Sequence, residues 1–324
     1  DAINLAAGPM LGREYAARYL PAASKKQAED IAGHIRDALV RDIDASTWSR
    51  DAAKAEARSK LNKLRIEIGT PSRDLDYTVQ PMGRGSFGGN MLIASTWRHR
   101  EEMKRIGRGN AERRWDVLPQ QPALAYDLAH NRLIVTAAML QAPVFDPAMP
   151  LAGQYGAFGA LVGHEISHAV DGRGRMVDAD GNVRDWWTGA EAGAWDVTAQ
   201  RVVSLYDGLV YPGLPALKVN GKLTRDENVA DLAGLELARA ALVAAEPKGG
   251  TQADKAFYTG WAQVWAQQVT ADEAQRRSLQ DVRAPGQWRT NAPIMQQGGF
   301  GSAYGCKVGT PMQPKPDARI SIFR

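Results

Sequence analysis

The alternation of apolar and polar positions is mostly of the helical kind. After Ser24, which reads as an N-cap, Ile31, Ile35 and Leu39 recur four residues apart and so share one helix face. A second segment starts at Asp51, and Leu61, Leu64 and Ile68 extend its apolar stripe. The basic residues Lys60, Lys63 and Arg65 within it read as a solvated face. Pro71 and Pro81 break the pattern, and Gly83-Arg84-Gly85-Ser86-Phe87-Gly88-Gly89 reads as a flexible connection into a helix from Asn90 to about Ile106. A polar loop then runs to Trp115. Asn131-Arg132-Leu133-Ile134-Val135-Thr136 forms the clearest strand, either an edge on which an extended peptide docks or an ordinary buried strand. Helical spacing resumes over Gly153–Val170, over Ala190–Tyr206 and from Arg225 onward. The expected class is mainly α with a small β-sheet (α+β).

Composition leaves this picture in place and narrows the function. The 324 residues suffice for one large core or two domains, and 44% hydrophobic with 23% charged residues describes an ordinary globular protein. A net charge of +4 with scattered basic residues gives nucleic-acid binding little support. No window approaches the roughly 18 consecutive apolar residues of a membrane helix. Without an initiator Met or a signal-peptide pattern, Asp1 reads as a terminus made by processing or by design of the expressed chain. Cys306 is the one cysteine, so no internal disulfide forms.

Two apparent ligand motifs carry little. Gly83, Gly85 and Gly88 match a dinucleotide-binding spacing, but no convincing strand precedes them and Arg108 stands near where the ribose-binding acid belongs. In Asp178-Ala179-Asp180-Gly181-Asn182 the glycine is two positions early for a calcium loop and no closing Glu follows, so a turn before Trp186-Trp187 is expected.

His164-Glu165-Ile166-Ser167-His168 is different in kind. Two imidazoles four residues apart on a helix face one point, which suits one zinc ion, and the carboxylate beside the first can serve as general base. Small residues before it, Gly156, Ala157, Gly159, Ala160 and Gly163, allow another backbone to approach closely. A third ligand is needed. Glu227 and Asp231, four apart in Arg225–Gly234, can present one carboxylate to the metal and another to the shell behind it. Asp231 fits the second role for one histidine, and Asp171 could serve the other.

These motifs, from Val162 through His168 to Asp171, Gly174-Arg175 and Asp185-Trp186-Trp187, resemble the neprilysin family of zinc metallopeptidases. So do Glu227-Asn228-Val229-Ala230-Asp231, Trp261-Ala262-Gln263-Val264-Trp265, Gly305-Cys306 and Met312-Gln313-Pro314, while Leu11 to Tyr77 looks like the segment preceding the catalytic half. The resemblance implies a thermolysin-like zincin catalytic domain over residues 111–324, with residues 1–110 as part of a helical cover domain and lead-in. It implies one Zn²⁺ on His164, His168 and Glu227, Glu165 as catalytic base, and Asp171 and Asp231 behind the histidines. Arg289 matches the family's substrate-binding arginine. Met139, Val144, Leu161, Val264 and Trp265 would line the pocket for the residue after the scissile bond, favouring an apolar side chain there. The expected activity is metal-dependent hydrolysis of peptides in an extracytoplasmic setting, periplasmic or secreted.

Three departures from the family pattern matter. Ala123-Leu124 stands where members carry an Asn-Ala pair that grips substrate backbone, a loss of a hydrogen bond of about 0.5–1.5 kcal/mol. Arg283 stands where members usually have an oxyanion-stabilising His; an arginine can donate to an oxyanion but cannot move a proton near neutral pH. The chain also begins near the middle of the family pattern. Either a separate or cleaved N-terminal chain, a partner subunit, completes the cover domain, or the site is unusually open. Cys306 aligns with a family cysteine whose partner lies in that N-terminal portion, which implies a free thiol. Ala123 and Arg283 together motivate an alternative, a zinc amide hydrolase for one non-standard substrate; a catalytically weak zinc-bound subunit of a two-chain complex is another.

Overall fold

Ile31, Ile35 and Leu39 lie buried along helix α2 (Ala22–Ala45), as their spacing requires. The helix starts earlier than its serine suggests. Pro21 O accepts from Lys25 N at 3.0 Å, so Ser24 is an interior residue and not the cap. Proline tolerates this position because the first helical turn leaves N–H groups unpaired in any case. The structure, a computed structural model, describes residues 2–72, 80–104, 106–107 and 115–324; Tyr77, Arg108 and most of the polar loop before Trp115 lie outside the described residues.

The stripe from Asp51 divides. Helix α3 spans Asp51–Asn62, but Ile68 belongs to strand β1 (Arg65–Gly69). Arg65-Ile66-Glu67-Ile68 alternates polar and apolar with period two, and that pattern prevails over continued helix. Lys60 is also not on a solvated face. With Ala53, Ala57 and Leu61 it forms the buried side of α3. The glycine-rich connection is partly helical: Ser86 Oγ accepts from Gly89 N at 3.0 Å and caps α4 (Phe87–Met103).

Strands β2 (Leu124–Asp127) and β3 (Arg132–Thr136) complete a sheet of order β1-β3-β2. All five residues of β3 are buried and the strand is central, so it offers no free edge to a peptide. Beyond it, α5 (Leu151–Gln154), a π-helical turn (Tyr155–Gly159) and α6 (Ala160–Ser167) form a continuous helical run. Helix α7 (Gly189–Tyr206) begins at a capping box of Thr188 and Glu191. A hairpin of β4 (Val210–Tyr211) and β5 (Leu214–Lys218) precedes α8 (Arg225–Ala245), and α9 (Gly250–Val264), α10 (Ala271–Gln280), α11 (Gly286–Met295) and α12 (Gly298–Tyr304) follow. The class is mainly α with small β-sheets. At the suspected calcium loop, Asp178 Oδ1 accepts from Asp180 N at 3.0 Å and Asn182 N at 2.9 Å, which closes a turn.

Two compact units result. The first comprises Asp1–Ala28, Ile66–Ala125 and Ile134–Gln141, and the second Glu29–Arg65, Tyr126–Leu133 and Ala142–Arg324. In the first, α1 (Ala2–Tyr19) packs on α4 around Ala6, Ala7 and Ala94. In the second, α6 packs directly on α8. A Cβ on Gly163 would lie 2.8 Å from Gly234 O, and one on Gly234 would lie 2.6 Å from His164 N. Two glycines face to face bring the two backbones into contact, and this sets the span of the site between them.

Candidate metal centre

His164 and His168 project from one side of the end of α6, and Glu227 faces them from the first turn of α8. His164 Nε2 lies 3.5 Å from Glu227 Oε2, and His168 Nε2 lies 4.0 Å from Glu227 Oε1. One ligating atom from each of the three residues falls within 4.8 Å of the other two. Ligand atoms about 2.0–2.1 Å from a tetrahedral zinc are themselves about 3.3–3.4 Å apart, so these groups would draw closer together to enclose the ion. Glu227 Oε2 is buried and has no hydrogen bond. That oxygen lies between the His164 imidazole and the Arg283 guanidinium and keeps acceptor capacity that a metal ion could use. The residues fit zinc.

Each histidine is oriented from behind through Nδ1. His164 Nδ1 lies 2.8 Å from Asp231 Oδ1, and His168 Nδ1 lies 2.7 Å from Asp171 Oδ2. These bonds put the proton on Nδ1 and turn the Nε2 lone pairs toward the common point. Asp231 is also gripped by Arg289, whose Nε and Nη2 donate to Oδ2 and Oδ1 at 2.7 and 2.6 Å. The Arg289 guanidinium is buried and stacks 3.6 Å from the Trp265 ring centroid. Asp171 Oδ1 instead accepts from Arg173 N at 2.8 Å and Gly174 N at 2.7 Å.

The pocket is built to hold positive charge. Burial raises the Asp231 carboxyl, but the charge and hydrogen bonds of Arg289 and His164 win and bring its pKa to about 2. Burial likewise opposes ionisation of Glu227, and the nearby His164, Arg283 and His168 lower it to about 2. Against its own burial, His164 is lifted to about 9 by Asp231, Glu227 and Glu165. A divalent cation held by His164, His168 and Glu227 would take the place of that imidazolium proton.

Among the described residues Glu165 is held on one oxygen: Oε2 accepts from Tyr126 N at 2.9 Å, while Oε1 lies 4.0 Å from His164 Nε2. Arg283, half-exposed, brings Nε to 3.0 Å from Glu227 Oε2 without hydrogen-bond geometry. Of the pocket candidates, Leu161 is buried on α6, Val264 and Trp265 end α9, and Val144 follows Pro143 in a loop. Ala123 and Met139 belong to the first unit. Ala123 N donates to Thr136 Oγ1 at 2.9 Å and its carbonyl accepts from Thr136 N at 3.0 Å. Cys306 is a free thiol, half-buried.

Three residues near the site escaped the sequence reading. Tyr126 acts through its backbone N–H, which leaves no trace in residue type. Asn131 has φ 46°, a conformation asparagine tolerates better than most residues. Lys60 lay on the apolar side of α3 by spacing, and its charge concealed that.

The models of peptidase family M13 match residues 125–320 and residues 1–71. The chain is 28% identical to Neprilysin-1 of Caenorhabditis elegans over 97% of its own length and 44% of that protein's. It is 29% identical to a neutral endopeptidase of Lactobacillus helveticus, over 97% of this chain and 47% of the relative. The structure superposes on the open state of Mycobacterium tuberculosis zinc metalloprotease Zmp1 with a TM-score of 0.89 at 27% identity, covering all of this chain and 52% of the other. The chain thus spans about half the length of the proteins it matches. With the candidate ligands and their carboxylate supports in one unit and family models matching residues 1–71 and 125–320, the chain belongs to peptidase family M13.

Proposed function

We propose that the chain carries the catalytic centre of a zinc-dependent peptidase that hydrolyses oligopeptides on the N-terminal side of an apolar residue. The carrying observation is the convergence of His164, His168 and Glu227 beside the one-sidedly held Glu165. One zinc ion on these three groups would supply Lewis-acid polarisation and a water acidified to a pKa of about 7. Glu165, with Oε2 fixed by Tyr126 N, is the base: Oε1 accepts the water's proton and returns it to the leaving amine. Asp231 and Asp171 keep both histidines in the tautomer that ligates. The Arg283 guanidinium beside Glu227 donates to the negative charge developing on the substrate carbonyl oxygen, in place of a histidine.

Arg289 uses Nε and Nη2 on Asp231, and Nη1 carries no protein hydrogen bond among the described residues. That nitrogen is the group available to a substrate carbonyl. Val144, Leu161, Val264 and Trp265, all of the second unit, supply the apolar lining of the pocket in this reading. Residues 111–324 hold the catalytic domain and 1–110 the helical lead-in. A peptide is the substrate in this reading, and a partner subunit that completes the helical cover domain belongs to the same proposal. The setting is extracytoplasmic, in keeping with the family resemblance; no helix among the described residues is long and apolar enough to cross a membrane.

The test is a peptide-library digest with zinc-loaded wild type, Glu165→Gln and Arg283→Ala. Chelator should abolish cleavage, Glu165→Gln should lower turnover by about 10²–10⁴ and Arg283→Ala by about 10²–10³. Full turnover in Glu165→Gln would remove the base. A preference for charged residues after the cleaved bond would remove the apolar pocket, and a monodisperse chain fully active alone would remove the need for a partner.

A further inference from the structure

Lys60, in the last turn of α3, is 0% exposed. A buried ammonium needs partners, and Nζ donates to Gly174 O at 2.8 Å and Val177 O at 2.7 Å. Burial lowers its pKa to about 8, while Asp171, Asp178 and Glu56 favour the charge, so it remains protonated at neutral pH. The two carbonyls bracket the short 3₁₀ turn Gly174–Met176, which begins three residues after Asp171. That turn also supplies the Gly174 N–H that fixes Asp171 Oδ1, whose other oxygen holds His168. The ammonium therefore grips the peptide segment that aims a candidate zinc ligand.

A second path leaves the backbone of the same lysine. Lys60 O accepts from Asn131 Nδ2 at 2.7 Å, and Asn131 Oδ1 accepts from the Tyr126 hydroxyl at 2.9 Å. Tyr126 N is the donor to Glu165 Oε2 at 2.9 Å. One lysine is thus three links from His168 through its side chain and three from Glu165 through its carbonyl. Every residue of both paths belongs to the second unit.

We propose that Lys60 and Asn131 form a brace, buried at Lys60, that fixes His168 and Glu165 relative to each other, with both acting as positioning residues that do not touch substrate or metal. The proposal rests on the metal-site reading above. Its chemical reason is that the distance between a ligand and a base governs attack geometry, where a misplacement of about 1 Å can cost about 10²-fold. Partners beyond the ligands set that geometry in metal sites generally.

The test uses the full chain. Lys60→Met keeps most of the side chain and removes the ammonium; Asn131→Gly keeps the left-handed backbone and removes the amide. Zinc affinity is measured by chelator competition, ligand geometry by the visible spectrum of the cobalt-substituted protein, and stability by the thermal midpoint of the metal-free chain. Lys60→Met should weaken zinc about 3- to 10-fold, less than the roughly 10–100-fold of removing a direct partner, and alter the cobalt bands. Asn131→Gly should leave zinc affinity within about two-fold and lower kcat about 3- to 10-fold at constant KM, since it reaches only the base. A folded Lys60→Met with wild-type zinc affinity and cobalt bands, changed only in thermal midpoint, would make Lys60 merely structural and overturn the proposal. Lys60→Gln, which retains a donor for one carbonyl, serves the same comparison if the methionine variant does not fold. Unchanged kcat in Asn131→Gly overturns the arm to Glu165, whereas wild type that binds no zinc overturns the metal site itself.

Discussion

The two candidate zinc histidines are supported in unlike ways. Behind His164 stands Asp231, fully buried and neutralised by the bidentate guanidinium of Arg289 on α11, itself stacked on Trp265. Behind His168 stands Asp171, held by amides of its own turn at Arg173 and Gly174. The first support is a charge pair in a dry interior, joined across three helices. The second is a local peptide turn, anchored from outside by Lys60. A buried pair is costly to break from one side because the survivor stays charged and unsolvated, whereas peptide dipoles can relax.

The contrast is broken most forcefully at Arg289. Arg289→Met should remove about 3–5 kcal/mol of unfolding free energy, measured by denaturant titration, and weaken zinc about 10–100-fold. Asp171→Asn keeps an oxygen for the turn amides and loses only the acceptor toward His168. It should weaken zinc by about 10-fold while lowering stability by only about 1 kcal/mol. Equal stability losses in the two variants would erase the distinction.

The smallest effect is a pH profile of the metal-free chain. Asp231 titrates near 2 when folded, below the ordinary value of about 3.9, so its contribution is complete above about pH 4 and is lost as pH falls toward 2. His164 is raised to about 9, so its contribution is complete below about 6.5 and is lost as pH rises through 9. Denaturant unfolding in chelator should therefore show this cluster at its most stabilising between about pH 4 and 6.5, and Arg289→Met should begin losing stability at a higher pH on the acid side. An unchanged acid limb would show that Arg289 does not hold the Asp231 charge.

Helical periodicity made most of this legible. His164 and His168, then Glu227 and Asp231, are each four residues apart, and one helix suffices to align each pair. Period two should have separated Ile68 from the helix before it, since Glu67 alternates with its isoleucines. The burial of Lys60 is masked by its residue type, although the spacing of Ala53, Ala57 and Leu61 assigns it to the inner face. Tyr126 could not be found at all, since any residue supplies the N–H that meets Glu165. Nor could Gly163 be matched to Gly234 from spacing, as the contact joins residues far apart in the chain.

That glycine contact has a consequence for what can vary around the candidate centre. Side chains that line a pocket can be exchanged, and neighbours shift to compensate. Two backbones that touch at Gly163 and Gly234 leave no side chain to exchange, so the gap between His164 on one helix and Glu227 on the other is inherited from main-chain dimensions. In the proposed reading, specificity can change at Val144 or Arg283 while the spacing of the candidate ligands stays constant. An added methyl at either glycine would act as a wedge, widening the clasp toward larger cations and away from zinc.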